Sequence, residues 1–292
     1  MTWVNAVVQG IMLGGLYALL ACGLSLMFGV MRIINLAHGD IAVLGAYLVW
    51  VVVQHTSVSP LLAAVLVLPL MLVVGYALHV LLIERSLRAG PLLPLLTTFG
   101  LAIVIQNVLL QIFSPDVRSL GAQTGTLRTA SWHITDTLSI PALGALTLAV
   151  AVAVLGGLQL FLSRSTVGRE MRATAQDPDT AQLIGINSRA VYARATAIAV
   201  ATAALAGTFL AIRSAFTPTS GPAQLIFAFE AVVIGGFGRL SGTLVGGIVL
   251  GVAQAIGAQI DPKYAILAGH LVFLAVLASP RGGILVSRQA RT

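Results

Sequence analysis

WVNAVVQGIMLGGLYALLACGLSLMF (Trp3–Phe28) carries no Asp, Glu, Lys or Arg over its whole length. About 20 predominantly apolar residues in a helix cross about 30 Å of hydrocarbon, so this stretch reads as a membrane span. The rest of the chain repeats it. Apolar runs follow at Gly39–Gln54, Pro60–Leu82, Leu92–Phe113, Pro141–Phe161 and Ala190–Ile212, then at Leu225–Phe237, Gly242–Ile260 and Tyr264–Ala278. The seventh, Leu225–Phe237, is short for a crossing and is expected to be tilted, re-entrant or broken. The predicted fold is therefore all-α and polytopic, with eight or nine transmembrane helices in one membrane domain over residues 1–292.

Composition agrees. Apolar residues make up 58% of the 292, charged residues 9%, and mean hydropathy is +0.99. A soluble domain commonly spends about a quarter of its residues on charge. The net charge of +7 does not point to nucleic acid, because the basic residues sit singly or in pairs between apolar runs. Cys22 lies inside an apolar run and has no second cysteine to pair with, so no disulfide and no cysteine metal site are expected. No Lys or Arg precedes Arg32, so the first stretch lacks the basic flank of a cleaved leader and is expected to stay as a helix.

The arginines set the orientation. With the Ser163–Arg189 connection in the cytoplasm, alternating spans bring Arg32, Arg85, Arg88, Arg164, Arg169, Arg172, Arg189, Arg194 and Arg239 to that side. The tail with Arg281, Arg288 and Arg291 joins them. Arg118, Arg128, Arg213 and Lys263 fall opposite. This is the bias that the positive-inside rule demands, with the N-terminus outside and the C-terminus cytoplasmic for nine spans. Two connections exceed mere turns. Residues 114–140 are polar and charge-balanced and are expected outside, whereas residues 163–189 form a cytoplasmic loop rich in helix formers.

That second loop carries the strongest local signals. Asp177 suits an N-cap, Pro178 the first helical position and Asp179 the positive end of the dipole, while Gly185 suits a left-handed stop. A helix of about two turns follows a helical segment from Val167 to Ala175. So short a helix needs a surface to pack on, either its own bundle or a cytosolic partner. The loop's length and its Gly168–Ala173 run favour docking.

Here the run Gly168-Arg169…Arg172-Ala173…Gln176-Asp177…Ala181…Leu183-Ile184-Gly185-Ile186-Asn187 resembles the ATPase-contacting loop of branched-chain amino acid ABC permeases, the LivH/LivM type. Phe28-Gly29-Val30…Asn35-Leu36-Ala37-His38-Gly39-Asp40…Gly45-Ala46-Tyr47 is similar to that family's signature after the first span. Val233-Ile234-Gly235-Gly236-Phe237-Gly238…Gly242…Gly246-Gly247 is a third match, and the three stand in the family's order. The resemblance implies the ABC importer permease fold. It implies a pore of this subunit and a homologous second permease, two cytosolic ATP-binding subunits docked on the loop, and a periplasmic substrate-binding protein on the outer loops. The solute would be a branched-chain or related small amino acid crossing the bacterial inner membrane. ATP would be bound by the partner subunits, with no cofactor on this chain.

Other residues invite a role on physical grounds. Asn35, His38, Gly39 and Asp40 form a polar cluster between two apolar spans, suited to a helix break lining a cavity. Asn35 or Asp40 is a candidate cap for the second helix, and His38 and Asp40 a candidate pair. The cluster reads equally as an ordinary cytoplasmic loop beside Arg32. Gly238, Gly242 and Gly246 follow small-xxx-small spacing, as do Gly247 with Gly251 and Gly10 with Gly14, which favours close helix packing. Glu230 is an acid inside an apolar run and marks a partner or an aqueous path, with Arg213 the candidate partner. His55, His79, His133 and His270 are scattered and are expected to be interfacial or packed.

Some functions are disfavoured. A P-loop needs Gly-Lys-Ser/Thr, and the only lysine, Lys263, follows Pro262. Zinc-hydrolase and serine-elbow motifs are missing, which argues against an enzyme. The alternative is a self-contained secondary transporter or channel for a small polar solute, which would need more buried acids and no capped loop.

Overall fold

In hydrocarbon a backbone must satisfy its own N–H and C=O groups, and a charge-free apolar run does so as a helix. The computed structural model describes residues 3–90, 92–135 and 138–279. Seven helices are long and apolar enough to cross a membrane, and two shorter apolar ones accompany them. The long ones are α1 (Trp3–Met31), α2 (His38–Thr56), α3 (Pro60–Leu78) with its continuation, α5 (Leu93–Phe113), α6 (Ala142–Arg164), α9 (Ser188–Arg213) and α11 (Leu240–Ile260). The short ones are α10 (Gly221–Gly235) and α12 (Tyr264–Ala278). Helix α3 runs through a π-turn at His79–Ile83 into α4 (Glu84–Ala89), so Arg85 and Arg88 ride on its last turns and not in a loop.

Helices α1 and α9 form the axis, and both are largely buried. Small residues let their neighbours approach. The glycine spacings read from the sequence serve two different neighbours of α11. Gly242 and Gly246 of α11 face Gly235 and Ala231 of α10, while Gly247 and Gly251 face Gly14 and Gly10 of α1. Gly238 is not on that helix. It sits in the α10–α11 turn at φ +71, a left-handed conformation that disfavours side chains, against Gly29 at the end of α1.

The ends of the bundle differ. At one lie α7 (Thr166–Gln176) and α8 (Pro178–Leu183), together with the basic residues Arg32, Arg85, Arg88, Arg164, Arg169, Arg172, Arg189, Arg194 and Arg239. There Glu84 pairs with Arg88 and, at 3.3 Å, with Arg189, tying α4 to the start of α9. The tail arginines Arg281, Arg288 and Arg291 lie outside the described residues. At the other end, the connection from Ser114 is more ordered than its composition suggested. It forms a 3-10 segment at Gly121–Arg128 and an antiparallel hairpin of β1 (Ser131–Thr135) and β2 (Leu138–Pro141). Arg118 pairs its backbone with Phe216 at 2.9 Å and sets its guanidinium over the Trp50 ring. Tyr47 stacks on Phe113 and meets Phe216 edge-on, so aromatic rings close this end of α2.

Replacing Gly247 or Gly251 with Val drives a branched side chain into the α1 backbone and should cost about 1–3 kcal/mol. Gly156→Val and Gly157→Val, at positions with nothing within 4 Å, are the matched controls. Thermal unfolding in mild detergent should show a lower midpoint for the first pair only.

Candidate functional site

The Asn35–Asp40 cluster is a helix break, and it is buried. Helix α1 ends at Met31, and Arg32 takes a left-handed φ of 56 that turns the chain back on itself. Helix α2 then restarts beside the middle of α1, where His38 Nε2 lies 2.8 Å from the Leu20 carbonyl oxygen. That point is about 16 Å short of the end of α1, at about 1.5 Å per residue. Asn35, His38 and Asp40 are all about 1% exposed. The reading as an exposed loop beside Arg32 therefore does not hold.

Capping at this break is not what residue type predicted. Asn35 Oδ1 accepts from Ala37 N at 3.0 Å, bracing the loop ahead of α2, and the helix has no side-chain cap of its own. His38 and Asp40 do not pair. Facing a carbonyl, His38 Nε2 must carry a proton and donate. Asp40 Oδ1 accepts from Gln106 Nε2 at 2.9 Å. Leu36 N donates to Thr98 Oγ1 at 3.1 Å. Thr98 and Gln106 of α5 were missed by the sequence reading, although a signal exists. They are polar residues in an apolar run, eight apart and so within about 80° on the helix.

Helix α10 begins at the same buried point. The chain from Ser214 turns back inward, and Thr217 N donates to Ser220 Oγ at 2.9 Å to shape the turn. Gly221 then starts the helix against Gly39, so closely that a Cβ on Gly39 would lie 2.8 Å from Leu225 N. Asp40 Oδ1 fills the space a side chain on Gly221 would need. Two helix N-termini, each with a positive dipole end, thus meet at one carboxylate. This is why the seventh apolar run is short: it is a helix that starts inside the bundle.

Glu230 pairs through Oε1 with Nδ1 of His270 on α12, not with Arg213, which lies at the last turn of α9. His270 is thus a hydrogen-bond partner of Glu230 and not merely packed. His79 is packed, with Nδ1 2.9 Å from Thr196 Oγ1 inside the π-turn, and His55 Nδ1 lies 2.9 Å from Val51 O. The side chain of His133 lies outside the described residues.

The second element is the α7–α8 loop. Ser165 Oγ accepts from Gly168 N at 2.9 Å and starts α7 one residue ahead of Val167. Gly168 is pressed on the end of α6, where a Cβ would meet the Leu162 and Phe161 backbone. Met171 and Thr174 are buried beneath α7, and Ala181 beneath α8. Arg194 Nη1 donates to Glu170 Oε2 at 3.0 Å, fastening α7 to α9. Arg169, Arg172 and Ala173 lie on the outer or flanking surface of α7, and neither arginine has a carboxylate partner among the described residues.

Asp177 caps α8 as its type predicts. Oδ1 accepts from Asp179 N at 3.0 Å and Thr180 N at 3.1 Å, with Pro178 at the first helical position. Thr180 Oγ1 donates to Oδ2 at 2.5 Å, and this bond first, then the backbone N–H groups, hold the carboxyl below its usual range. With the folded value depressed, the cap is complete above the ordinary carboxylate value of about 4 and weakens as pH falls through the folded one. Gly185 stops the helix at φ +88, and Ile186 N reaches back to Ala181 O at 3.0 Å. Asn187 Oδ1 then accepts from Ala190 N at 3.2 Å and caps α9. The loop is hence a stiff, twice-capped hairpin of helices whose tip presents Leu183 and Ile184, 87% and 72% exposed.

Comparison with known proteins agrees with this architecture. The family described as branched-chain amino acid transport system / permease component matches residues 6–277. The chain is similar to the high-affinity branched-chain amino acid transport system permease protein BraD of Pseudomonas aeruginosa, at 31% identity over 96% of this chain and 95% of that protein. It is similar to LivH of Escherichia coli strain K12, at 30% identity over 94% and 92%. It is also similar to LivM of the same strain, at 28% over 44% of this chain and 30% of that protein. No solved structure matches the chain. With the model of that family covering nearly its whole length, the chain belongs to the branched-chain amino acid permease family.

Proposed function

We propose that this chain is the membrane-spanning permease subunit of an ATP-driven ABC importer that carries branched-chain or related small amino acids across the bacterial inner membrane. The observation that carries the reading is the α7–α8 hairpin. It is packed on α6 and α9, closed by Ser165, Asp177, Gly185 and Asn187, and tipped with exposed Leu183 and Ile184. Large apolar side chains fully exposed on a rigid polar loop are what a protein contact needs. Two cytosolic ATP-binding subunits dock on residues 163–189, one on this chain and one on a homologous second permease. ATP binds to those subunits, so this chain transports without an ATPase site of its own. The relatives support the pairing, since LivH and LivM are both named permeases of the same transport system and this chain resembles each.

In this reading the Arg-rich end faces the cytoplasm, the N-terminus is outside and the C-terminus is cytoplasmic. Residues 114–140 face the periplasm and receive a substrate-binding protein. The hairpin acts as a lever: closure of the ATPase dimer pushes α7, and the Glu170–Arg194 contact passes the push to α9. Helix α9 packs against α2, and α2 starts at the break, so Asn35, His38, Gly39 and Asp40 form the gate to which the movement is delivered. Glu230 belongs to the same path.

Asp177→Ala and Gly185→Val should each reduce ATP-driven leucine uptake by about tenfold or more in proteoliposomes holding the full assembly, with membrane abundance unchanged. Uptake at the unsubstituted rate in both would remove the lever. Leu183→Glu combined with Ile184→Glu, and separately Arg169→Glu, should lower the amount of ATP-binding subunit that co-purifies with the permease. Unchanged stoichiometry in both, or leucine transport by the chain without ATP, would favour a self-contained carrier.

A further inference from the structure

Four polar side chains from four helices gather in the flank formed by α1, α10, α11 and α12. Tyr17 OH donates to Gln254 Oε1 at 2.5 Å, and Glu230 Oε1 pairs with His270 Nδ1. The Phe227 ring lies between the two pairs, 5.1 Å from the Tyr17 ring and 6.3 Å from that of His270. Glu230 is 3% exposed and Gln254 5%, yet Glu230 Oε2 and Gln254 Nε2 have no hydrogen-bond partner among the described residues. One is an unused acceptor with negative charge, the other an unused donor. His270 is the outward member, its side chain 38% exposed on a helix whose neighbouring surface is Ile266, Leu267 and Leu274.

A carboxylate with a free oxygen and a partly exposed imidazole are costly against hydrocarbon. A flank that carries both within the spans faces water or protein, not lipid. A zwitterion needs one anionic acceptor and at least one donor, and those are the two groups left unsatisfied here. Resting on the amino-acid importer reading above, we infer that this flank lines the translocation path, and that Glu230 receives the ammonium group of the passing amino acid while Gln254 donates to its carboxylate. The Tyr17 hydroxyl holds the Gln254 amide with its nitrogen unpaired, and His270 fixes one oxygen of Glu230 so that the other, buried in this conformation, keeps its lone pairs for the solute. These two are positioning residues. Apolar Phe227 between them suits an aliphatic side chain.

Thiol labelling tests the inference in the full assembly in proteoliposomes. The one native cysteine, Cys22, is buried, and Cys22→Ala supplies the background. His270→Cys and Ile266→Cys report on the flank, the latter leaving the Glu230–His270 pair intact; Leu271→Cys, about 100° round the helix, reports on the lipid face. Membrane-impermeant methanethiosulfonates should modify the first two and spare Leu271→Cys, with modification read on this chain by mass spectrometry. With each rate divided by that reagent's rate with a free thiol in solution, the cationic reagent should outpace the anionic one by about tenfold, as the Glu230 carboxylate attracts cations. Glu230→Gln should bring that ratio close to one at Ile266→Cys, a change that a purely structural clamp would not produce. Protection of both flank positions, or a ratio that ignores Glu230→Gln, overturns the inference. The importer reading fails separately, if the unsubstituted assembly takes up no leucine when ATP is supplied.

Discussion

Helix α2 and helix α10 both start inside the bundle, and each exposes there the unpaired N–H groups of a first turn. Hydrocarbon offers them nothing, so the protein must. The solution is to bring the two starts together at Gly39 and Gly221 and to set Asp40 between them. That contact dictates much else. It requires α5 to carry Thr98 and Gln106 at the right height, α1 to lend the Leu20 carbonyl to His38, and α9 to present Gly207 where α2 crosses it. A junction so dependent on backbone contact leaves no volume for side chains. Its arrangement can shift as a unit but cannot be adjusted residue by residue.

In the proposed lever, the break is the place where movement of the loop is delivered to the middle of the molecule. Helix α7 is fastened to α6 through Gly168 and to α9 through Glu170 and Arg194, so it cannot tilt without moving them. Helix α9 touches α1, α2 and α3 along its buried length, and its small residues permit sliding at short range. In that proposal a push on α7 passes through packed helices until it reaches the junction of α2 with α10. There the chain is held by hydrogen bonds of α5 side chains and not by a continuous helix. Compliance is concentrated where the backbone is interrupted.

Legibility in the sequence followed the range of each interaction. The caps of α8 were readable because Asp177, Pro178 and Gly185 act on their own neighbours, and residue type suffices for that. The membrane class was readable because it depends on run length and charge. The two glycine spacings of α11 were readable as packing, but the helix that each meets was not, since which neighbour lies on which side is a tertiary fact. The partner of Glu230 was misassigned for the same reason. Arg213 is near in sequence and charged, whereas His270 is forty residues away and comes alongside only because α12 folds back against α10. The hairpin in the connection from Ser114 had a signal in the alternation of Ser131-Trp132-His133-Ile134-Thr135 and Leu138-Ser139-Ile140, which reading the whole connection as one polar loop passed over.

The short seventh run carries the last step. Read by length alone, Leu225–Phe237 is a defective span, and eight or nine becomes a question of counting. In the structure the defect has a cause: the residues before it, Ser214 to Ser220, are spent on returning the chain to the level of Asp40. Starting α10 there instead of at the membrane edge brings Glu230 within reach of His270 and Phe227 between Tyr17 and His270. A full-length helix would not have needed the α2 junction to begin. The buried start and the polar flank are therefore one design feature, in which a helix is shortened from one end to set an acid within the spans.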